Sequence, residues 1–111
     1  MLPMPVKILI HDAVLFDVDM DEYQQEQDKM VAVLERVRIE PSTSIIVDAN
    51  GADVQCAATL FYDNRVSLPR GLYFKVGQAV AFDGERYRVG DVQCFYDGTR
   101  MHHQEVTLID A

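Results

Sequence analysis

AVAFDGERYRV (79–89) followed by GDVQCFYDGTRMHHQEVTLI (90–109) is the stretch whose reading decides the fold. Two Asp-Gly pairs, Asp83-Gly84 and Asp97-Gly98, each lie between runs rich in β-branched and aromatic residues. A two-residue type I′ turn needs two positive φ angles, which Asp followed by Gly supplies at little steric cost. The pattern predicts three or four short antiparallel strands in an unbroken meander.

Upstream, the strand signals are shorter and the turns more frequent. Pro3 and Pro5 predict an extended leader over residues 1–5. Val6–Ile10 and Val14–Val18 fit strands, with His11-Asp12 as a bend or bulge between them. Pro41 ends a strand and opens the turn Pro41–Ser44, Ile45–Val47 fits a brief strand, and Asn50-Gly51 centres a loop. Val54–Tyr62 fits a strand whose second half is apolar on both faces. Asp63–Gly71 is a long loop, and Tyr73–Val76 leads into the meander.

Asp19–Met30, DMDEYQQEQDKM, breaks the composition. As a helix it would be capped by Asp21, with Gln24 completing a capping box. As a loop it would lead into a strand beginning near Val31, where Val31, Val33, Val37 and Ile39 alternate with Ala32, Leu34, Arg36 and Arg38. That alternation favours a polar loop with at most one short helix. With 111 residues the chain holds one core, so residues 1–111 form a single domain. Its fold class is all-β: an antiparallel barrel of six to eight short strands, Src-homology-3-like, with long loops. Closing the sheet removes edges that a lone β chain would have to protect.

The formal net charge of −8 disfavours nucleic-acid binding, which rests on cations displacing counterions from phosphate. The same sign suits a surface that DNA passes without adhering. No segment approaches the ~18 apolar residues of a membrane span, and no secretory signal is visible. The sequence therefore reads as cytosolic, with Cys56 and Cys94 reduced.

The chain's chemistry is sparse. His102 and His103 are adjacent, and strand alternation sends neighbours to opposite faces, so they do not readily share a metal. Phase arguments put a bulge near Gln104-Glu105, one histidine in the core or at the sheet edge and the other in solvent. Cys56 and Cys94 lie in apolar strands, where a thiol is inert filling. Ser42, Ser44 and Ser67 lack a nucleophile elbow, and no phosphate-cradling loop occurs. No catalytic, cofactor-binding or metal residue is assigned, and the expectation is not an enzyme.

The two long loops, Asp19–Met30 and Asp63–Gly71, exceed what a compact barrel needs to turn corners, and long loops on rigid barrels make contacts. Four motifs, in order, also carry a resemblance. They are VRIEPS (37–42), ATLFYD (58–63) with Ser67 and Pro69 after it, VAFDGERYRV (80–89) and HHQEVTL (102–108). Together they resemble the minor capsid proteins of tailed bacteriophages and prophages, over about Val31 to Ile109.

The resemblance implies a structural virion protein, assembled in the host cytoplasm and placed at the head–tail junction. There it would be a head-completion or stopper-type subunit docking in a ring beneath the portal. Its implied partners are portal or adaptor proteins, tail-completion proteins, further copies of itself and DNA passing through the channel without specific binding. Outside virion assembly, the alternative is a small β-barrel adaptor for a peptide or protein.

Overall fold

The computed structural model describes residues 11–42, 45–47 and 50–110. The expected leader and the Val6–Ile10 strand lie outside them. Eight strands follow in order: β1 (His11–Met20), β2 (Glu26–Pro41), β3 (Ile45–Val47), β4 (Asp53–Gln55), β5 (Ala58–Asp63), β6 (Ala79–Phe82), β7 (Glu85–Asp97) and β8 (Arg100–Asp110). Six of them close an antiparallel barrel in the order β1-β2-β5-β8-β7-β6, and β3 and β4 form a separate two-stranded ribbon. The described residues contain no helix.

The meander is three strands, β6, β7 and β8. Asp83 and Gly84, at φ 51° and 79°, form the expected turn between the paired residues Phe82 and Glu85. The second turn sits one residue later than expected. Asp97 still pairs with Arg100, so the two turn residues are Gly98 and Thr99, with Gly98 at φ 66°. Positive φ is then needed only at the first position, the arrangement of a type II′ turn. Gly90-Asp91 is no turn: Val89 and Asp91 face Leu108 and Thr107, leaving Gly90 as a bulge within β7.

Two further bulges shape β2. His11 and Ala13 face Val37 and Leu34, so β2 carries an extra residue at Glu35-Arg36, where Arg36 adopts φ 57°. Leu15 and Phe16 face Ala32 and Met30, which makes Val31 a second insertion. Each bulge bends the strand and shifts its side-chain phase. Leu34, Val37 and Ile39 are consequently buried, whereas Val33 is 53% exposed. The alternation that grouped Val31 and Val33 with Val37 and Ile39 is thereby corrected.

Leu15, Leu34, Val37, Leu60, Tyr62, Val80, Val106 and Leu108 are fully buried in the core. The expected Val54–Tyr62 strand divides at Cys56-Ala57, because β4 pairs with the ribbon and β5 with β2 and β8.

The connection from β5 to β6 runs along the barrel and is pinned to it. Tyr62 donates its hydroxyl proton to the Pro69 carbonyl and accepts from Leu72 N–H. Burial raises the Tyr62 pKa above 10.0, which keeps that donor protonated. Gln104, fully buried, accepts from Phe74 N–H at 3.1 Å and donates to the Leu72 carbonyl at 2.7 Å. Ser67 Oγ donates to the Arg36 carbonyl at 2.5 Å, and Glu35 and Leu68 exchange both backbone hydrogen bonds at 2.9 Å. The bulge at Glu35-Arg36 thus provides the anchor for this connection.

Gln104→Leu would leave the Phe74 N–H and Leu72 carbonyl without partners. Urea unfolding should show a loss of roughly 3 kcal/mol with an unchanged m-value.

Candidate docking surfaces

Asp19–Met30 is an arm made of strand, and no helix forms in it. β1 continues to Met20 and β2 begins at Glu26, five residues before the expected Val31. Val18, Asp19 and Met20 face Asp28, Gln27 and Glu26. Asp21, the expected helix cap, instead organises the hairpin tip. Its Oδ1 accepts from Tyr23 N–H and Gln25 N–H, both at 2.8 Å, and its Oδ2 accepts from Gln27 Nε2 at 3.2 Å. Gln24 takes φ 62° to complete the turn. The same carboxylate that could cap a helix satisfies the same kind of orphan amides in a turn.

One face of the arm is tied to the barrel. Arg86 makes a bidentate contact to Asp28, at 3.0 and 2.8 Å, and Arg88 donates to Glu26 at 2.8 Å. The Arg86 guanidinium holds the Asp28 carboxyl below its ordinary pKa of 3.8. Exposed pairs of this kind contribute about 1 kcal/mol or less, so they orient the arm more than they stabilise the barrel. Met20, Tyr23 and Met30 remain 59%, 76% and 66% exposed, a concentration of large apolar side chains on an otherwise acidic hairpin.

Asp63–Gly71, the other expected contact loop, is largely anchored by the bonds described above. Exposure returns just beyond it, where Tyr73 and Val76 are open to solvent beside Lys75. Lys75, Val76 and Gln78 line a shallow groove with Asp17 and Asp19 at the root of the arm. At the other end of β1, Val14, Val33, Ala81 and Phe82 line a second groove rimmed by Asp12 and Asp83.

The histidines do not divide between core and solvent. Phe95 and Tyr96 face His103 and Met101, so the bulge in β8 falls at His102, ahead of the expected Gln104-Glu105. It turns the two rings toward each other, with Nδ1 to Nδ1 at 2.7 Å, and both are buried. His103 also stacks on Phe95 at 4.6 Å and reaches Glu105 through Nε2 at 3.3 Å. A self-consistent network has His103 Nε2–H donating to Glu105 and His102 Nδ1–H donating to His103 Nδ1. His102 Nε2 is then an unprotonated nitrogen, buried without a partner. Among the described residues no three His, Cys, Asp or Glu side chains converge as metal ligands do.

Both cysteines are free thiols. Cys56 is buried and its Sγ contacts the Ala58 carbonyl at 3.0 Å, whereas Cys94 is exposed, so the expectation of two buried thiols is corrected.

The closed barrel thus exposes an acidic hairpin arm and apolar grooves. The minor capsid protein family model matches residues 5–108, and the chain belongs to that family. It is therefore a structural protein of the phage virion. No curated protein matches the chain, and no solved structure matches it.

Arg86→Ala should release the arm without unfolding the barrel. Global stability should fall by about 1 kcal/mol or less, while amide hydrogen exchange quickens across residues 17–30. Acid should act similarly. The Asp28 pKa is lowered in the folded state, so its contribution is complete above 3.8 and is lost as pH falls through the folded value.

Proposed function

We infer that this minor capsid protein works at the phage neck as a head-completion or stopper-type connector subunit. In this reading, copies dock in a ring beneath the portal, help retain packaged DNA and provide the surface on which the tail joins. The observation that carries the reading is the β1–β2 arm. It is held in a defined direction by Arg86 and Arg88 while Met20, Tyr23 and Met30 stay exposed.

Buried apolar anchors supply most of the affinity in protein interfaces, and aromatic and Met side chains are enriched there. An arm of this composition fits a partner groove on a portal, adaptor or tail-completion protein. Its acidic residues Asp19 and Glu22, which lie outside the ion pairs to Arg86 and Arg88, would repel the DNA backbone. DNA in the channel would then pass without specific binding. A ring made from one kind of subunit uses heterologous contacts, in which two different faces of each copy meet.

The test shortens the arm. Val18 and Asp28 are cross-strand partners, so an Asn-Gly turn can replace residues 19–27 and join them directly. The variant should keep the circular dichroism spectrum of the parent. It should also fail to sediment with portal rings and lower the yield of DNA-filled, tail-joined particles in a complementation assay. Normal portal binding and particle yield would contradict the neck reading.

A further inference from the structure

β8 leaves the body of the barrel at its two histidines. His103 is held from both sides, facing Asp63 of β5 and Phe95 of β7, and the Asn64 N–H donates to the His102 carbonyl at 3.0 Å. Past that point, the ribbon from Tyr96 to Met101 forms strand pairs only within itself among the described residues. Gly98, Thr99 and Arg100 at its tip are exposed, and so is Tyr96. The buried imidazole pair, with His103 stacked on Phe95, therefore sits at the root of this hairpin, where pairing to β5 ends.

Two Nδ1 atoms 2.7 Å apart share a single hydrogen. One proton can be added to the neutral network without moving either ring. It enters at His102 Nε2, and the hydrogen already between the rings passes to His103. His103 is then an imidazolium that donates through Nδ1 to His102 and through Nε2 to Glu105, with its face against the Phe95 ring. Asn64, whose backbone N–H meets the His102 carbonyl, has a buried Oδ1 without a partner, and residues opposed across an antiparallel pair share a face. The new His102 Nε2–H thus gains an acceptor on the neighbouring strand. A second proton has no such arrangement. Both Nδ1 atoms would carry hydrogen and two buried cations would meet N–H to N–H, so the rings must part.

We propose that His102 and His103 form a proton-operated catch at the root of the β7–β8 hairpin. The rings stay together while the pair holds at most one added proton, and they separate and free residues 94–101 when both are charged. The other titratable or charged residues around the pair are Asp63 of β5, Arg65 just beyond it, Cys94 and Tyr96 of β7, and Arg100 and Glu105 of β8. Glu105, in contact with His103, and Asp63, directly across the strand pair from it, favour the first charge on that ring. Arg65 and Arg100 add to the cost of a second. Histidine is the side chain that ordinarily changes charge between pH 5 and 8, so mild acid suffices to work the catch. The device is independent of where in the virion the protein sits.

The experiment uses the full-length chain with isotope-labelled histidine, taken from about pH 8 to about pH 4.5. Ring-nitrogen chemical shifts report the protons on each imidazole, and amide hydrogen exchange, corrected for its intrinsic pH dependence, reports opening. The expected course has two steps. In the first, one ring of the pair becomes charged, the other stays neutral, and protection is unchanged. In the second, both are charged and protection across residues 94–102 falls about tenfold or more, while residues 38–41 and 58–61 keep theirs. Glu105→Gln should move the first step to lower pH. His103→Phe, which keeps an aromatic ring against Phe95 but leaves one imidazole, should hold the hairpin's protection through the whole range. Two charged rings with an undisturbed hairpin would overturn the proposal, as would two rings that stay neutral throughout. Loss of protection at the same pH in His103→Phe, or simultaneous opening of the entire barrel in the parent chain, would overturn it too. The parent chain's titration decides the matter even where the variant does not fold.

Discussion

Three residue pairs, Val14 with Ala81, Leu15 with Val80 and Phe16 with Ala79, join the first strand of the barrel to β6. Without that short seam the six strands would be an open sheet with two unpaired edges, prone to pairing with other chains. β1 must turn sharply to reach both β2 and β6, and the bulges at Val31 and Glu35-Arg36 allow β2 to follow it. Closure also leaves the ends of β1 and β2 with no further strand to pair, so they run on as the arm. The feature most suited to docking is therefore a consequence of how the ring shuts.

The same bulges distribute the surface chemistry. At Glu35-Arg36, the shift buries Val37 and Ile39 but turns Val33 outward, and it frees Glu35 to pair with Leu68. One local irregularity thus fixes the β5–β6 connection and creates the apolar floor of the groove beside Asp12 and Asp83. In β8 the bulge at His102 brings two imidazoles into contact, and stacking on Phe95 covers the pair. The polar groups that this buries are largely spent on holding the barrel together, which agrees with a family of structural proteins.

Much of this architecture was legible in the residues. Asp83-Gly84 and the runs around it predict the meander because turn chemistry and period-two alternation point the same way. The resemblance to minor capsid proteins rests on motifs inside the residues that the family model matches. The bulges were harder to read, since a single inserted residue changes the phase without changing composition. Plain alternation therefore puts Val31 and Val33 in phase with Val37 and Ile39, and one histidine in solvent. The arm left a clearer signal: Phe16, Asp17, Val18, Asp19, Met20 and Asp21 alternate strictly. The acidic, Gln-rich composition that follows masked it, because such stretches more often mark solvated loops. Its length and polarity alone make it a candidate contact element.

The central claim is that this small barrel is a docking component of the phage neck. Cryo-electron microscopy of tail-joined virions, focused on the junction, tests it most directly. The account requires a ring of six-stranded barrels between portal and tail, each sending a β-hairpin arm into a neighbouring component. A neck without such barrels, with this chain instead distributed over the icosahedral shell, would contradict it.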